Sequence, residues 1–299
     1  MSKALGALFL KNLDKCLAEF NPSAYLTYGG YWAADPAAEL ARRAGCKNVF
    51  LLHNLSYRKA PLFDLFDAIV VSSEFARHRY ARELGREPTV IPPLIDESKV
   101  VSATNSRRFL TFVNPSAEKG LRFVLGIAKE LERIRPDIPI LFVEGRAKLS
   151  ANPAVSELRN LHKIARTNDV RSVYGATRIL LAPSLCEETF GRVAVEAAFN
   201  GVPVLCSDRG ALPEVVGATE ELKSLVLPIP ERFTPNSRAL PTREEVVPWV
   251  ERVVELWDDD VRAERLGAAL KASASRYASA RVERLIVEFY ARLVGGSRD

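Results

Sequence analysis

The chain has 299 residues, of which 47% are hydrophobic and 26% are charged, and its formal net charge at pH 7 is +5. These values are typical of soluble globular proteins, and the length favours two domains. Basic and acidic residues are interspersed, so the small positive excess argues against a nucleic-acid interface. It fits an anionic ligand or loose contact with an anionic membrane surface.

The four cysteines are far apart in the sequence, and the chain has only three histidines. This pattern argues against a zinc site, and reduced thiols indicate a cytoplasmic protein. No apolar run approaches the ~20 residues of a membrane span. The apolar residues of segment 3–20 have helical spacing and predict a helix packed on a sheet. The alternative is a helix on the inner face of the membrane.

Short β-branched or aromatic runs alternate with helical patterns along the chain. The predicted strands are 24–28, 48–52, 68–71, 89–91, 109–113, 138–143, 179–182, 202–206 and 224–227. The predicted helices are 3–20, 36–44, 73–84, 118–135, 190–200, 243–258, 260–275 and 280–294. This alternation predicts an α/β fold with doubly wound parallel sheets.

The alternation restarts after a polar segment, 96–107, that has neither helical nor strand periodicity. We therefore expect an N-terminal domain over 1–104, a C-terminal domain over 105–279, and a helix within 280–299 that packs back on the first domain. Polar residues and glycines collect after the strands of both halves. Because ligands bind beyond the carboxyl ends of such strands, this pattern predicts a ligand in a cleft between two facing domains.

Two glutamates, Glu188 and Glu196, have seven residues between them. The predicted helix 190–200 is apolar or small on almost every side, so Glu196 should be buried, and an unpaired buried carboxylate costs several kcal/mol. One interpretation is a salt bridge to Arg192, although arginine before glutamate is the weaker i,i+4 orientation. The alternative is that Glu196 accepts hydrogen bonds from two neighbouring hydroxyls, such as a ribose diol.

The motifs around these glutamates resemble glycosyltransferases of family 4, which have the GT-B architecture. The strongest part is 183–217, with a Pro-Ser, the paired glutamates, a GxPV and a GxxPE; segment 112–120 is the second. Weaker similarity extends the resemblance over roughly 23–258. It implies two Rossmann-like domains facing across a cleft. It also implies a retaining, metal-independent hexosyltransferase that uses a nucleoside-diphosphate sugar and no cofactor.

The resemblance assigns roles to the residues of the long motif. It implies that Glu196 holds the ribose hydroxyls and that Glu188 lies by the donor sugar and the leaving group. The backbone amides of Thr189, Phe190 and Gly191 would meet the diphosphate, and a helix N-terminus does favour an anion. The simpler interpretation of Gly191 is tight helix–strand packing.

Three further residues are assigned on the same basis. Lys119 matches the diphosphate-binding lysine of the family, and His53 matches a histidine that faces the donor sugar. A solvated lysine and a hydrogen-bonded histidine at a strand end are the simpler interpretations. Asn114 and its neighbours stand where the family has a Gly-Arg pair, so one cationic phosphate contact is missing. Arg209 is the preferred substitute, and Arg122 and Arg146 are the alternatives.

Family members are usually longer, and the sequence before Ser23 offers only one helix in place of several strand–helix units. Three explanations compete: a naturally minimal domain, a partner or second copy that completes it, or a start downstream of the true one. The alternative function is therefore a nucleotide-sugar-binding or scaffold protein without a competent acceptor domain. The sequence identifies neither the donor base and sugar nor the acceptor, which in this family is a polysaccharide, a lipid or a small molecule.

Overall fold

The computed structural model describes residues 2–29, 32–57, 60–145, 149, 155 and 158–296. By its contacts the chain divides into two compact units. The first unit consists of Met1–Pro93 with Ala280–Asp299, and the second of Leu94–Ser279. Each unit is an α/β structure built on a parallel sheet, in agreement with the predicted fold class.

The first unit contains a four-stranded parallel sheet in the order β1-β2-β3-β4. Its strands are β1 (Ala24–Thr27), β2 (Lys47–Leu52), β3 (Ala68–Val71) and β4 (Thr89–Val90). Its helices are α1 (Lys3–Phe20), α2 (Ala34–Arg43) and α3 (Glu74–Leu84), with a 3₁₀ helix at Ala60–Phe63. Side chains of β2 point alternately to the two faces, so Phe50 and Leu52 lie in one apolar cluster and Val49 in another.

The second unit contains a six-stranded parallel sheet in the order β10-β9-β8-β5-β6-β7. Its strands are β5 (Phe109–Val113), β6 (Ile140–Val143), β7 (Leu161–Ile164), β8 (Thr177–Ala182), β9 (Val204–Ser207) and β10 (Val226–Leu227).

Its described helices are α4 (Glu97–Val100), α5 (Leu121–Ile134), α6 (Arg171–Ala176), α7 (Arg192–Phe199), α8 (Leu212–Val216), α9 (Arg243–Asp258) and α10 (Asp260–Ala274). Two 3₁₀ helices lie at Leu222–Leu225 and Ser275–Tyr277. The buried face of α5 contributes Phe123 and Ile127 to a large core that also contains Trp249 of α9.

The last helix, α11 (Ser279–Gly295), returns the chain to the first unit. Its Phe289 is buried with Val49 of β2 and Val70 of β3. The helix thus covers one face of the first sheet. In the described part of the chain, none of the helices is both long and apolar enough to cross a membrane.

The division between the units falls after Pro93, earlier than the boundary after residue 104 that we predicted. The reason is α4, which the sequence analysis did not predict because four residues are too few to show periodicity. The side chain of Asn200 donates to Val100 O at 3.0 Å and accepts from Ser102 N at 2.8 Å. These bonds attach segment 97–102 to the second unit.

Strand order places a candidate ligand site in the second unit. The chain runs from β5 to β6 and β7 on one side, and then returns to β8, β9 and β10 on the other. The strand order therefore reverses between β5 and β8, and ligands of doubly wound sheets bind in a crevice at the carboxyl ends of the strands at such a point. Here the loops that follow β5 and β8 are residues 114–120 and 183–191.

Candidate active site

The loops after β5 and β8 are in direct contact. Leu185 N donates to Glu118 O at 2.8 Å. Gly120 has a φ of +87°, and a Cβ at this position would lie 2.2 Å from Pro183 O. A glycine is therefore required where the two loops meet, both for its backbone conformation and for the space. Helix α5 begins after Gly120, so Lys119 lies in the loop rather than in the helix predicted from residue 118.

Asn114 is the first residue after β5 and has a left-handed φ of +56°. Asparagine tolerates this conformation better than most residues. Its amide N donates to Val143 O at 2.9 Å, and a Cβ on Gly145 would lie 2.3 Å from its Oδ1. The side chain of Asn114 is thus packed against the backbone that follows β6, at the edge of the crevice.

Lys119 and Glu188 form an ion pair across the crevice. Lys119 Nζ donates to Glu188 Oε1, and Ser184 Oγ donates to the same oxygen at 2.5 Å. The side chains of Lys119 and Glu188 are 28% and 15% exposed, so both are accessible to a ligand. The structure therefore brings together two of the residues that the sequence assigned to the donor site.

The backbone of Glu188 is held firmly. It forms an isolated parallel bridge with Gly210, and Ala211 N donates to Glu188 O at 2.8 Å. Gly210 has a φ of +66°, and a Cβ there would lie 2.3 Å from Glu188 N. The loop after β9 thus fixes the position from which the Glu188 carboxylate reaches Lys119.

Glu196 is buried in α7, with 8% of its side chain exposed, and both carboxylate oxygens have protein partners. Arg192 Nε donates to Oε1 at 2.6 Å, so the ion pair expected in the simpler interpretation is present. Tyr174 Oη donates to Oε2 at 2.7 Å. Burial first, and then the negative charge of Glu196, raises the pKa of Tyr174 well above its ordinary value. Tyr174 therefore acts as a hydrogen-bond donor at neutral pH.

Tyr174 was not among the site residues predicted from the sequence. It lies in α6, a six-residue helix that ends directly before β8. The sequence feature that could have pointed to Tyr174 is an aromatic residue just before a buried strand. Such residues usually contribute only to packing.

Helix α7 begins after Gly191, whose φ is +87° and whose position carries no side-chain cap. A Cβ on Gly191 would lie 2.7 Å from Leu212 Cδ2, so close packing also favours glycine here. The ring of Phe190 is buried against Tyr277, at 5.2 Å between centroids. Phe190 can therefore reach the crevice only through its backbone. Thr189, Phe190 and Gly191 together form the turn that places the positive end of α7 beside the loop carrying Glu188.

Arg209 is engaged by the protein itself. Its two terminal nitrogens donate to four backbone carbonyl groups, at distances of 2.6 to 3.4 Å, belonging to Leu185, Ile229, Pro230 and Phe233. These hydrogen bonds are enough to hold Arg209 in place, with no ligand needed. The predicted contact between Arg209 and a diphosphate stays a prediction. Arg122 donates to Arg238 O at 2.5 Å. Arg146 lies outside the described residues.

His53 belongs to the first unit, where it follows β2. Its ring lies 6.4 Å from that of Tyr28, between centroids, and the residue is exposed. Its assignment to the donor sugar stays a prediction. Over the described ranges, no group of three or more histidine, cysteine, aspartate or glutamate side chains could hold a metal ion.

Residues 107–234 match the family model described as "Glycosyl transferases group 1". This segment runs from just before β5 to just beyond β10 and contains Lys119, Glu188 and Glu196. An MMP α-(1→4)-mannosyltransferase of Mycolicibacterium hassiacum is 35% identical over 81 residues. The match covers 27% of this chain and only 20% of the mannosyltransferase.

Several solved structures share the fold over nearly the whole chain. A glycosyltransferase from Rickettsia africae has a TM-score of 0.75 at 14% identity, covering 99% of this chain and 83% of that one. Anabaena HepE in complex with UDP-glucose has a TM-score of 0.73 at 16% identity, covering 96% and 83%. Sucrose-phosphate synthase from Thermosynechococcus elongatus has a TM-score of 0.72 at 15% identity, covering 97% and 78%.

These similarities define the class of protein. The fold is that of the GT-B glycosyltransferases, with two Rossmann-like units, which confirms the predicted fold class. The resemblance to glycosyltransferases is confirmed as well, since the family match covers the long motif of the second unit. Membership of family 4 in particular stays a prediction.

Proposed function

We propose that this protein is a glycosyltransferase that moves a hexose from a nucleoside-diphosphate sugar to an acceptor. The observation that carries the proposal is the Lys119–Glu188 ion pair just before the start of α7, at the point where the strand order of the second sheet reverses; Glu196 lies one turn further along the same helix. HepE, which shares the fold, was solved with UDP-glucose, and this supports a nucleotide sugar as the donor.

In this proposal the diphosphate of the donor lies between Lys119 and the start of α7. The backbone N–H groups of Thr189, Phe190 and Gly191 face the phosphate oxygens, where the helix dipole favours negative charge. Glu196 accepts hydrogen bonds from the ribose hydroxyls, and Tyr174 holds its carboxylate in place. Asn114 lines the same crevice.

The reaction breaks the bond between the anomeric carbon and the diphosphate oxygen, and an acceptor hydroxyl oxygen forms the new bond. The hydroxyl proton leaves with the departing diphosphate, which assists attack on the same face and so retains the configuration. Lys119 offsets the negative charge that develops on the leaving group, so no metal ion or cofactor is needed. Glu188 positions Lys119 and lies beside the donor sugar. A hydrogen bond from His53 to a sugar hydroxyl stays a prediction.

The proposed acceptor is a sugar, a lipid-linked sugar or a small molecule. We place the activity in the cytoplasm, where contact with the inner face of the membrane would bring a lipid-linked acceptor within reach. A partner subunit or a second copy is a further proposed source of acceptor contacts.

Titration calorimetry with UDP, GDP and ADP tests donor binding. We expect one of the three to bind with a micromolar Kd, and Lys119→Met to weaken that affinity about 10-fold, because a charge-assisted phosphate contact is lost. Lys129→Met, at an exposed lysine of α5, is the matched control and should leave the affinity unchanged. Absence of binding to all three nucleotides would contradict the proposal.

Hydrolysis of UDP-glucose, GDP-mannose and ADP-glucose by the purified protein tests catalysis. We expect slow release of sugar from one donor, and Glu188→Gln should lower that rate about 100-fold while the nucleotide Kd changes less than about 3-fold. Nucleotide binding with no hydrolysis of any donor would favour the alternative, a binding or scaffold protein.

A further inference from the structure

Arg192 is the first residue of α7, and in the described part of the chain one of its nitrogens donates to a protein acceptor. Nε donates to Glu196 Oε1 at 2.6 Å, and no other hydrogen bond of this guanidinium is found among the described residues. The side chain of Arg192 is 60% exposed, although that of Glu196 is only 8% exposed. The guanidinium is anchored at Nε, and its two terminal nitrogens, with their four N–H donors, belong to a side chain that is largely exposed.

Arginines elsewhere near the crevice are differently placed. Arg209 gives both terminal nitrogens to backbone carbonyls, and Arg122 donates to Arg238 O. Among the described residues of the loops 114–120 and 183–191, Lys119 is the cation, and it is already paired with Glu188. A nucleoside diphosphate carries two or more negative charges, whereas these described loops offer it one lysine whose charge is already paired with a carboxylate.

The start of α9 provides a matched case without a ligand role. Arg243 is the first residue of α9 and donates through Nε to Glu130 Oε1 at 2.9 Å; its side chain is 62% exposed and that of Glu130 is 10% exposed. There the N-cap residue is Thr242, and its backbone N donates to Glu245 at 2.7 Å in a capping box. No side chain caps α7. An arginine that begins a helix and donates through Nε to a buried glutamate therefore occurs at one helix start with a capping box and at one without a side-chain cap, although the glutamate lies in the same helix for Arg192 and in α5 for Arg243.

We propose that Arg192 is the cationic diphosphate contact of this protein, in place of the arginine that is missing after β5. Nε stays on Glu196, and one or both terminal nitrogens donate to oxygens of the diphosphate at the start of α7. The proposal rests on the proposed function and adds a residue to its donor site. A planar guanidinium anchored at Nε is suited to this task, because its remaining donors are already oriented.

The test compares two ligands, the nucleoside diphosphate that binds the wild-type protein and the nucleoside of the same base. The nucleoside affinity is measured by displacement of the diphosphate. We expect Arg192→Gln to weaken the diphosphate about 10-fold and the nucleoside less than about 3-fold, because the lost contact is with phosphate. The diphosphate affinity of Arg192→Lys should lie between those of the wild-type protein and Arg192→Gln, since lysine keeps the charge but has no planar guanidinium anchored at Nε. Arg243→Gln is the matched control and should change neither affinity.

The ratio of the two affinities decides the outcome. An equal loss for nucleoside and diphosphate would overturn the inference, because Arg192 would then act only by holding Glu196 against the ribose. An unchanged diphosphate affinity would overturn it too. If the wild-type protein binds none of the nucleotides, the proposed function itself fails, which is a different result.

Discussion

Two glutamates in the second unit, Glu130 and Glu196, are buried to nearly the same degree and have different surroundings. Their residues are 9% and 6% exposed, and each accepts a hydrogen bond from the Nε of an arginine that begins a helix. Glu130 also accepts two bonds from Arg133, at 3.1 and 2.7 Å. The second partner of Glu196 is instead the neutral hydroxyl of Tyr174.

The two glutamates differ in the number of arginines that pair with them. Hydrogen bonds from Arg133, and then from Arg243, outweigh burial and lower the pKa of Glu130 to about 2. The Glu130 carboxylate is thus paired with two arginines of the protein, Arg133 and Arg243. Among the described residues Glu196 has one cationic partner, Arg192, and it lies one helical turn from the crevice, where a ligand can supply further donors. Burial alone does not mark a ligand site; the partners and the position at the strand ends do.

The largest expected difference between the two glutamates is in nucleotide affinity. Glu196→Ala should weaken the nucleoside diphosphate about 100-fold, because two ribose hydroxyls lose a charged acceptor. Glu130→Ala, in the same unit, should change that affinity less than about 2-fold. Calorimetry on both variants measures this, and circular dichroism confirms that each is folded. Similar affinities for the two variants would mean that Glu196, like Glu130, does not contact the nucleotide.

The fold of the second unit was largely predictable, because most of its strands are buried and its long helices are amphipathic. The predicted limits of β5 and α9 agree with the structure. Strand β7 was missed because three of its four residues are exposed, so its sequence lacks the apolar pattern of a buried strand. Helix α6 was missed because six residues show no helical period.

The site was predictable where a motif is continuous in the sequence. The pair Arg192 and Glu196 lies within one helix, so its ion pair could be anticipated. The contact between Glu196 and Tyr174 joins two elements, and the four carbonyl partners of Arg209 come from loops that only the folded sheet brings together. Contacts of that kind depend on tertiary packing, for which a single sequence holds no local signal.

Tyr174 offers the next largest effect. Tyr174→Phe removes the donor to Glu196 Oε2 and should weaken nucleotide binding about 10-fold, raising KM for the donor while kcat changes less than about 2-fold. The matched control is Tyr80→Phe in the first unit, whose hydroxyl donates to Asn54 O at the same distance of 2.7 Å and whose side chain is also buried. A purely structural role for Tyr174 predicts lower stability for both variants and an unchanged KM.

Acid should act on Glu130 through stability rather than binding. Its folded-state pKa of about 2 is below its ordinary value of 4.5, so its ion pairs stabilise the fold above pH 4.5 and are lost as the pH falls towards 2. Urea denaturation of the wild-type protein and Glu130→Gln between pH 7 and pH 3 measures this. We expect the variant to be less stable by about 1–2 kcal/mol at pH 7, since both arginines are exposed, and the difference to shrink at pH 3. A constant difference would mean that the lost packing, rather than the charge, matters.

The smallest effect concerns the two arginines themselves. Arg243→Gln leaves Glu130 paired with Arg133, so we expect a loss of stability below about 0.5 kcal/mol. Arg192→Gln leaves the Glu196 carboxylate with only the Tyr174 hydroxyl, and the loss should be larger, about 1 kcal/mol. Urea midpoints at pH 7 resolve this difference if the m-values agree.

The same measurement with the nucleoside diphosphate separates the two arginines further. Saturating nucleotide should raise the urea midpoint of Arg243→Gln as much as that of the wild-type protein. Because Arg192 contacts the ligand in our proposal, the midpoint of Arg192→Gln should rise less. Equal shifts in all three proteins would mean that Arg192, like Arg243, serves only its own glutamate.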